Sequence, residues 1–269
     1  MDDRTRNRIL GVLFIGVLMG ALDAAIIGPA LPALKEEFKV QERTLSWVFS
    51  FYILASLLGT PLMAKLADKI GRRSIYILDV GLFALGSLII ALSPNFSILL
   101  AGRAIQGIGV GGVFPIASAV IGDTFPPEKR GRALGMISAV FGLAFIIGPI
   151  LGGLLLRYSW HLLFYINLPI AFLVIMGALR EFPMTRAPEP KPFDWTGLGV
   201  LTLSLIALTV GFNQFEGTEL KLLPFILLTA GIGLLPVFAS IERRAIDPII
   251  SLKIFNSRQL VVVSGLAFG

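Results

Sequence analysis

An acid, Asp23, stands inside the first apolar stretch of this 269-residue chain, and a base, Arg103, inside the fourth. An ionised side chain at the centre of a bilayer costs about 2.5–3.5 kcal/mol on insertion scales, so such residues mark ion or proton pathways. A carboxylate can take up and release a proton, and a guanidinium, which is always charged, can hold it in place. Gln106 follows Arg103 by one turn and shares its helical face. Counted from Ile9, Asp23 lies roughly 21 Å into a hydrocarbon core of about 30 Å. Arg103 belongs to a helix that runs the other way from Ser97, which puts it roughly 9 Å below the opposite boundary. The depths agree, so the two charges are expected to face each other across a bundle, each reducing the other's desolvation cost. Such a pair can be a structural lock between two helices, or its carboxylate can carry a proton during transport. Asp79 is a different case: it sits roughly 8 Å inside the third stretch, where water or Arg132 is expected to reach it, which favours a structural role.

Other patterns carry less chemistry. Residues 107 to 112 read G-I-G-V-G-G and satisfy G-x-G-x-x-G. A dinucleotide fingerprint needs a strand before it and a helix after it, whereas these glycines fall in mid-stretch, where they let helices approach closely. No H-E-x-x-H, G-x-S-x-G or P-loop occurs, and the single histidine, His161, stands at an expected membrane surface. Without cysteine there is no disulfide or thiolate metal site. The sequence therefore points away from an enzyme, and no cofactor or metal is expected.

The elements that position these residues follow from composition. With 55% hydrophobic and 15% charged residues, and a mean hydropathy of +0.85, the chain reads as an all-α polytopic membrane protein. Eight stretches are long enough to cross, at about residues 9–32, 45–66, 74–93, 97–122, 132–156, 162–180, 195–213 and 222–240, and a ninth starts at Leu260. The net charge of +6 does not imply a nucleic-acid partner, because the bases alternate between loops. With the N-terminus in the cytoplasm, 17 of the 23 Lys and Arg residues lie inside and 5 outside, with Arg103 in the membrane. Trp47, Tyr158, Trp160, Tyr165 and Trp195 are expected as interfacial anchors. The stretch REFPMTRAPEPKPFD reads as a linker. The expected organisation is a six-helix unit over 1–180, a cytoplasmic linker over 181–194, two further spans over 195–240, and a loop with the start of another helix over 241–269, as in part of a longer protein.

Several motifs coincide in order. Leu22-Asp23 through Pro29-Ala30-Leu31-Pro32 opens the series, and Ala64-Lys65-Leu66-Ala67-Asp68-Lys69-Ile70-Gly71-Arg72-Arg73 follows between the second and third stretches. Arg103-Ala104-Ile105-Gln106-Gly107 comes next, then Gly135, Ala144, Gly148, Pro149, Gly152 and Gly153, which fall largely along one face of the fifth helix. Together they resemble the N-terminal part of a major facilitator superfamily transporter, and within it the drug:proton antiporters with 14 membrane helices. The chain departs from the pattern at Ala25, Ile27, Gly28, Ala64 and Ala144. The resemblance implies an inverted-repeat bundle facing a second six-helix half. It implies export of amphipathic or cationic small molecules in exchange for protons, from a prokaryotic plasma membrane. Asp23 and Arg103 would couple the proton, and Asp23 and Gln106 would line the substrate cavity. Asp68, Gly71, Arg72 and Asp123 would form a cytoplasmic gate, with Asp68 facing a helix of the other half and Arg72 pairing with Asp123. Gly148, Pro149, Gly152 and Gly153 would act as hinge and seal. A proton-linked symporter, a sugar exporter, and a non-transporting membrane receptor or assembly partner remain alternatives.

Overall fold

The computed structural model describes residues 1–184, 194–215, 222–246 and 248–249. The described residues form helices α1 (Asp3–Phe38), α2 (Glu42–Ile70), α3 (Arg72–Ala91), α4 (Phe96–Thr124), α5 (Pro127–Leu156), α6 (Leu162–Tyr165), α7 (Asn167–Glu181), α8 (Trp195–Phe215) and α9 (Leu222–Glu242). The short α6 and α7 run on as one span, so among the described residues eight helical spans are long and apolar enough to cross a membrane. Most helices outrun their apolar stretches: α1 begins six residues before Ile9. There Asp2 accepts a hydrogen bond from the Thr5 backbone N–H at 3.1 Å, which caps the helix in its polar margin. Asn95 caps α4 in the same way through the Ile98 N–H at 3.0 Å, and Pro127 opens α5 at a position where its missing N–H costs nothing.

The chain divides into two compact units, Met1–Pro188 and Glu189–Gly269. In the first, α4 is central, packed between α2 and α3, while α1 lies against α5 and α7. Glycines set the spacing around α4. A Cβ at Gly107 would stand 2.4 Å from the Tyr52 carbonyl oxygen, and one at Gly111 2.6 Å from that of Ser56, both on α2. On the other side, a Cβ at Gly109 would stand 2.4 Å from the Asp79 carbonyl oxygen of α3. The G-x-G-x-x-G run is thus a two-sided packing surface in which backbone meets backbone. At the ends of α4 and α5 nearest the N-terminus, Arg6 Nε donates to the Thr124 carbonyl at 3.2 Å, and Lys129 pairs with Asp3 at 2.9 Å.

In the second unit α8 and α9 form a pair. The Ser204 hydroxyl donates to the Gly231 carbonyl at 2.7 Å, and Gly231 and Gly211 receive Leu208 and Leu228 of the facing helix. The central part of the linker, its charges Arg186 and Lys191, and the stretch from Leu260 lie outside the described residues. One expected anchor turns inward: Trp160 is buried against Phe38 and Phe164 and stacks on His161 at 3.8 Å, whereas Tyr158 and Trp195 are exposed.

Candidate functional site

Arg103 and Gln106 occur one turn apart on α4, and that spacing aims both side chains at α1 and α3. Arg103 is 0% exposed and Asp23 4%. Arg103 Nη1 lies 2.6 Å from Asp23 Oδ2 and also donates to Gln106 Oε1 at 2.7 Å. Its Nε donates to the Val48 carbonyl at 3.3 Å, and its guanidinium carbon sits 4.0 Å above the Tyr52 ring, both on α2. A weakly hydrated planar cation suits such a wall of carbonyl and aromatic face. The other carboxylate oxygen, Asp23 Oδ1, accepts from Gln106 Nε2 and from Asn167 Nδ2, each at 3.1 Å.

Ser87 of α3 completes the cluster. Its oxygen accepts from Gln106 Nε2 at 2.7 Å and from Asn167 Nδ2 at 3.1 Å, while its proton goes to the Phe83 carbonyl at 2.9 Å. A hydroxyl with both lone pairs and its proton engaged orients the two amides, so that their N–H groups point at Asp23. Five helices therefore meet at one buried carboxylate. Sequence reasoning missed Ser87, Asn167, Tyr52 and the Val48 carbonyl. The usable signal was an isolated polar side chain within an apolar run, as Ser87 and Asn167 both are.

Within this chain Gln106 is 0% exposed and Asp23 4%. Two expectations need correction. Asp79 reaches neither water nor Arg132. It is 0% exposed and has no hydrogen-bond partner among the described residues, because Gly109 and Gly112 let α4 close over it, while Arg132 is exposed beside Asp3 and Arg6. The small residues of α5 also split between two faces. Ala144, Gly148 and Gly152, four apart, are buried toward α1: a Cβ at Gly148 would stand 2.5 Å from that of Ala25, while one at Gly152 would touch Ile26 at 3.5 Å. Pro149 and Gly153 follow by one residue, about 100° round the helix, and are exposed like Gly135.

A second cluster lies where α2 turns into α3. Gly71, the one residue between them, has φ 114°, a conformation that side-chain-bearing residues rarely adopt. The tight turn sets Arg72 at the head of α3, where Nη1 pairs with Asp68 at 3.2 Å and Nε donates to Asp123 at the end of α4. Arg72 thus bridges three helix ends. A groove of about 270 Å³ beside it is lined by Ala64, Asp68, Pro115 and Ala119.

Residues 13–268 match the family model of the Major Facilitator Superfamily. The uncharacterized MFS-type transporter YfiU of Bacillus subtilis (strain 168) is 40% identical over 81% of this chain and 43% of its own length. Multidrug resistance protein 3 of the same organism is 34% identical over 98% of this chain and 52% of its own length. The efflux pump dotC of Dothistroma septosporum (strain NZE10 / CBS 128990) is 36% identical over 93% of this chain and 44% of its own length. The chain spans about half the length of the curated relatives it matches. Among solved structures, the human organic anion transporter MFSD10 aligns with a TM-score of 0.58 at 20% identity, covering 89% of this chain and 72% of that one. A bacterial homologue of the human lysosomal transporter Spinster, in an inward-facing conformation, aligns at 0.56 and 19% identity, covering 90% and 62%. With eight membrane-length helices among its described residues, the chain belongs to the Major Facilitator Superfamily.

Proposed function

We propose that this chain contributes the N-terminal half of an exporter that moves amphipathic or cationic small molecules out of the cell in exchange for protons, by alternating access. The observation that carries the reading is the dry Asp23–Arg103 pair with its amide donors, since an intramembrane acid held by a fixed base marks an ion pathway. Arrival of a proton on Asp23 would cancel the charge that holds Arg103 Nη1, so that the five-helix junction would loosen and rearrange. Asp23 is the proton carrier in this reading. Arg103, Gln106, Ser87 and Asn167 position it, and the substrate contacts lie elsewhere on the face turned to a second helical half. The multidrug and efflux names of two relatives support the substrate class. The protein would sit in the cell membrane with its N-terminus in the cytoplasm, on the strength of the 17 to 5 distribution of bases.

Asp68, Gly71, Arg72 and Asp123 are proposed as the cytoplasmic gate, with the groove beside Asp68 accepting a helix of the other half. Gly148 and Gly152 are proposed as the seal between α5 and α1. Residues 1–180 would form the transport half, 181–194 the linker, 195–240 two accessory spans, and 241–269 the connection onward. The division of the chain near Pro188 supports that partition.

The test is transport by the full-length protein in proteoliposomes, with ethidium as the amphipathic cation. An imposed pH gradient should drive ethidium movement, and a protonophore should stop it. Ethidium transport of equal rate with and without the gradient would overturn the antiport reading.

A further inference from the structure

Asp79 stands apart from the Asp23 network. Phe83, buried one turn further along α3, separates it from Ser87. The Asp79 side chain is lodged over Gly112 of α4, where a Cβ would stand 1.9 Å from Oδ2, and the same point lies 2.5 Å from Met63 of α2. The carbonyl of Asp79 is pressed against Gly109. Three helices thus close on this carboxyl, and neither of its oxygens meets a hydrogen-bond donor among the described residues.

Several charged groups on the helices packed against α3 are committed elsewhere, and none of the others hydrogen-bonds to Asp79. On α4, Arg103 is held by Asp23 and Asp123 by Arg72; on α2, Asp68 is also held by Arg72; on α7, Glu181 lies 3.5 Å from Arg8. The titratable group near Asp79 is Tyr76, one turn back on α3. Tyr76 is likewise 0% exposed, and its hydroxyl, directed at Gly16 of α1, has no hydrogen-bond partner among the described residues. A phenol is neutral and offers no compensating charge.

An ionised carboxylate in such a place would bear its desolvation penalty without repayment, whereas the neutral acid escapes most of it. We propose that Asp79 is a second proton-binding site, occupied by a proton while α2, α3 and α4 are closed around it and emptied when that packing opens. The site lies roughly 10 Å along α3 from Arg72, on the half of the helix that the gate residues head. Its assignment is independent of whether Asp23 carries a proton.

Infrared spectroscopy of the full-length protein in lipid, with aspartate carrying carbon-13 at the side-chain carboxyl, reads the site directly. Among the described residues Asp23 and Asp79 are the buried aspartates, and the difference between parent and Asp79→Asn spectra isolates Asp79 while the Asp23–Arg103 pair stays in place. The expected result at neutral pH is a carbonyl band of a protonated, labelled aspartic acid in the parent that is lost in Asp79→Asn. No such labelled band in the parent, or a band that survives undiminished in Asp79→Asn, would overturn the proposal. If Asp79→Asn fails to fold, Asp79→Glu, which removes the labelled carboxyl and keeps an acid, takes its place with the same two outcomes.

Discussion

Asp23→Asn leaves Arg103 buried at 0% exposure with its ion pair gone. The guanidinium keeps Gln106 Oε1, the Val48 carbonyl and the Tyr52 ring, none of which bears charge. The two amide donors at 3.1 Å also lose a charged acceptor. Removing one partner of a buried pair costs about 3–5 kcal/mol, because the remaining charge is uncompensated. That is roughly two to three and a half powers of ten in the folded-to-unfolded ratio, at about 1.4 kcal/mol per tenfold. Asp23→Asn with Arg103→Gln removes both charges and keeps side chains able to hydrogen-bond, so most of the loss should return, to within about 1–2 kcal/mol of the parent. Thermal unfolding in lipid, followed by circular dichroism with matched expression, measures both variants. Equal stability of Asp23→Asn and parent would refute the reasoning about the uncompensated charge. The double variant also separates lock from carrier. A lock needs no charge, so proton-driven transport should recover with stability. A carrier needs its carboxyl, so transport should stay uncoupled although the fold has returned. Recovered proton-driven transport in the double variant would remove Asp23 from the coupling step.

Three further outcomes are expected. Gly107→Ala places a Cβ 2.4 Å from the rigid Tyr52 carbonyl oxygen and should cost about 1–3 kcal/mol in unfolding experiments, whereas Gly122→Ala on the same helix meets nothing within 4 Å and should be neutral or stabilising. A Gly107→Ala protein as stable as its parent would show that α2 and α4 can separate cheaply. Asp68→Asn should slow transport several-fold in the full-length protein while membrane insertion is unchanged; parental rates at matched expression would remove the gate role. In this cysteine-free chain, Lys39→Cys should react with an impermeant thiol reagent in intact cells and Ser74→Cys should not, both positions being exposed. Labelling of the Ser74 variant would reverse the topology.

The spans and the Asp23–Arg103–Gln106 triad were legible because both signals are costly. A run of about 20 apolar residues and a charge within it each require a physical reason to persist. Ser87 and Asn167 carry no charge and lie 19 and 61 residues from Gln106, on other helices, so neither periodicity nor local spacing links them to the site. Asp79 was misplaced for a geometric reason. Depth along a helix estimates distance from water only if the neighbouring helix leaves a gap, and the glycines of α4 close that gap. Pro149 and Gly153 show the limit of reading one face from composition: a single residue of offset turns a small side chain from the seam to the outside.

The glycine contacts on both sides of α4 have a mechanical consequence. At Gly107 and Gly111 toward α2, and at Gly109 toward α3, main chain rests on main chain with no layer of side chains between to deform by changing rotamer. Sliding α4 along either neighbour would drive carbonyl oxygens over the shoulders of the next turn, so α2, α4 and α3 should behave as one stiff slab. The α1–α5 seam is built differently: a Cβ at Gly148 would meet the Ala25 side chain at 2.5 Å and one at Gly152 the Ile26 side chain at 3.5 Å, so side chains rather than carbonyl oxygens form its nearest contacts. Movement in this unit should therefore be easier at that seam than within the slab, where Arg103, Gln106 and Ser87 keep their register.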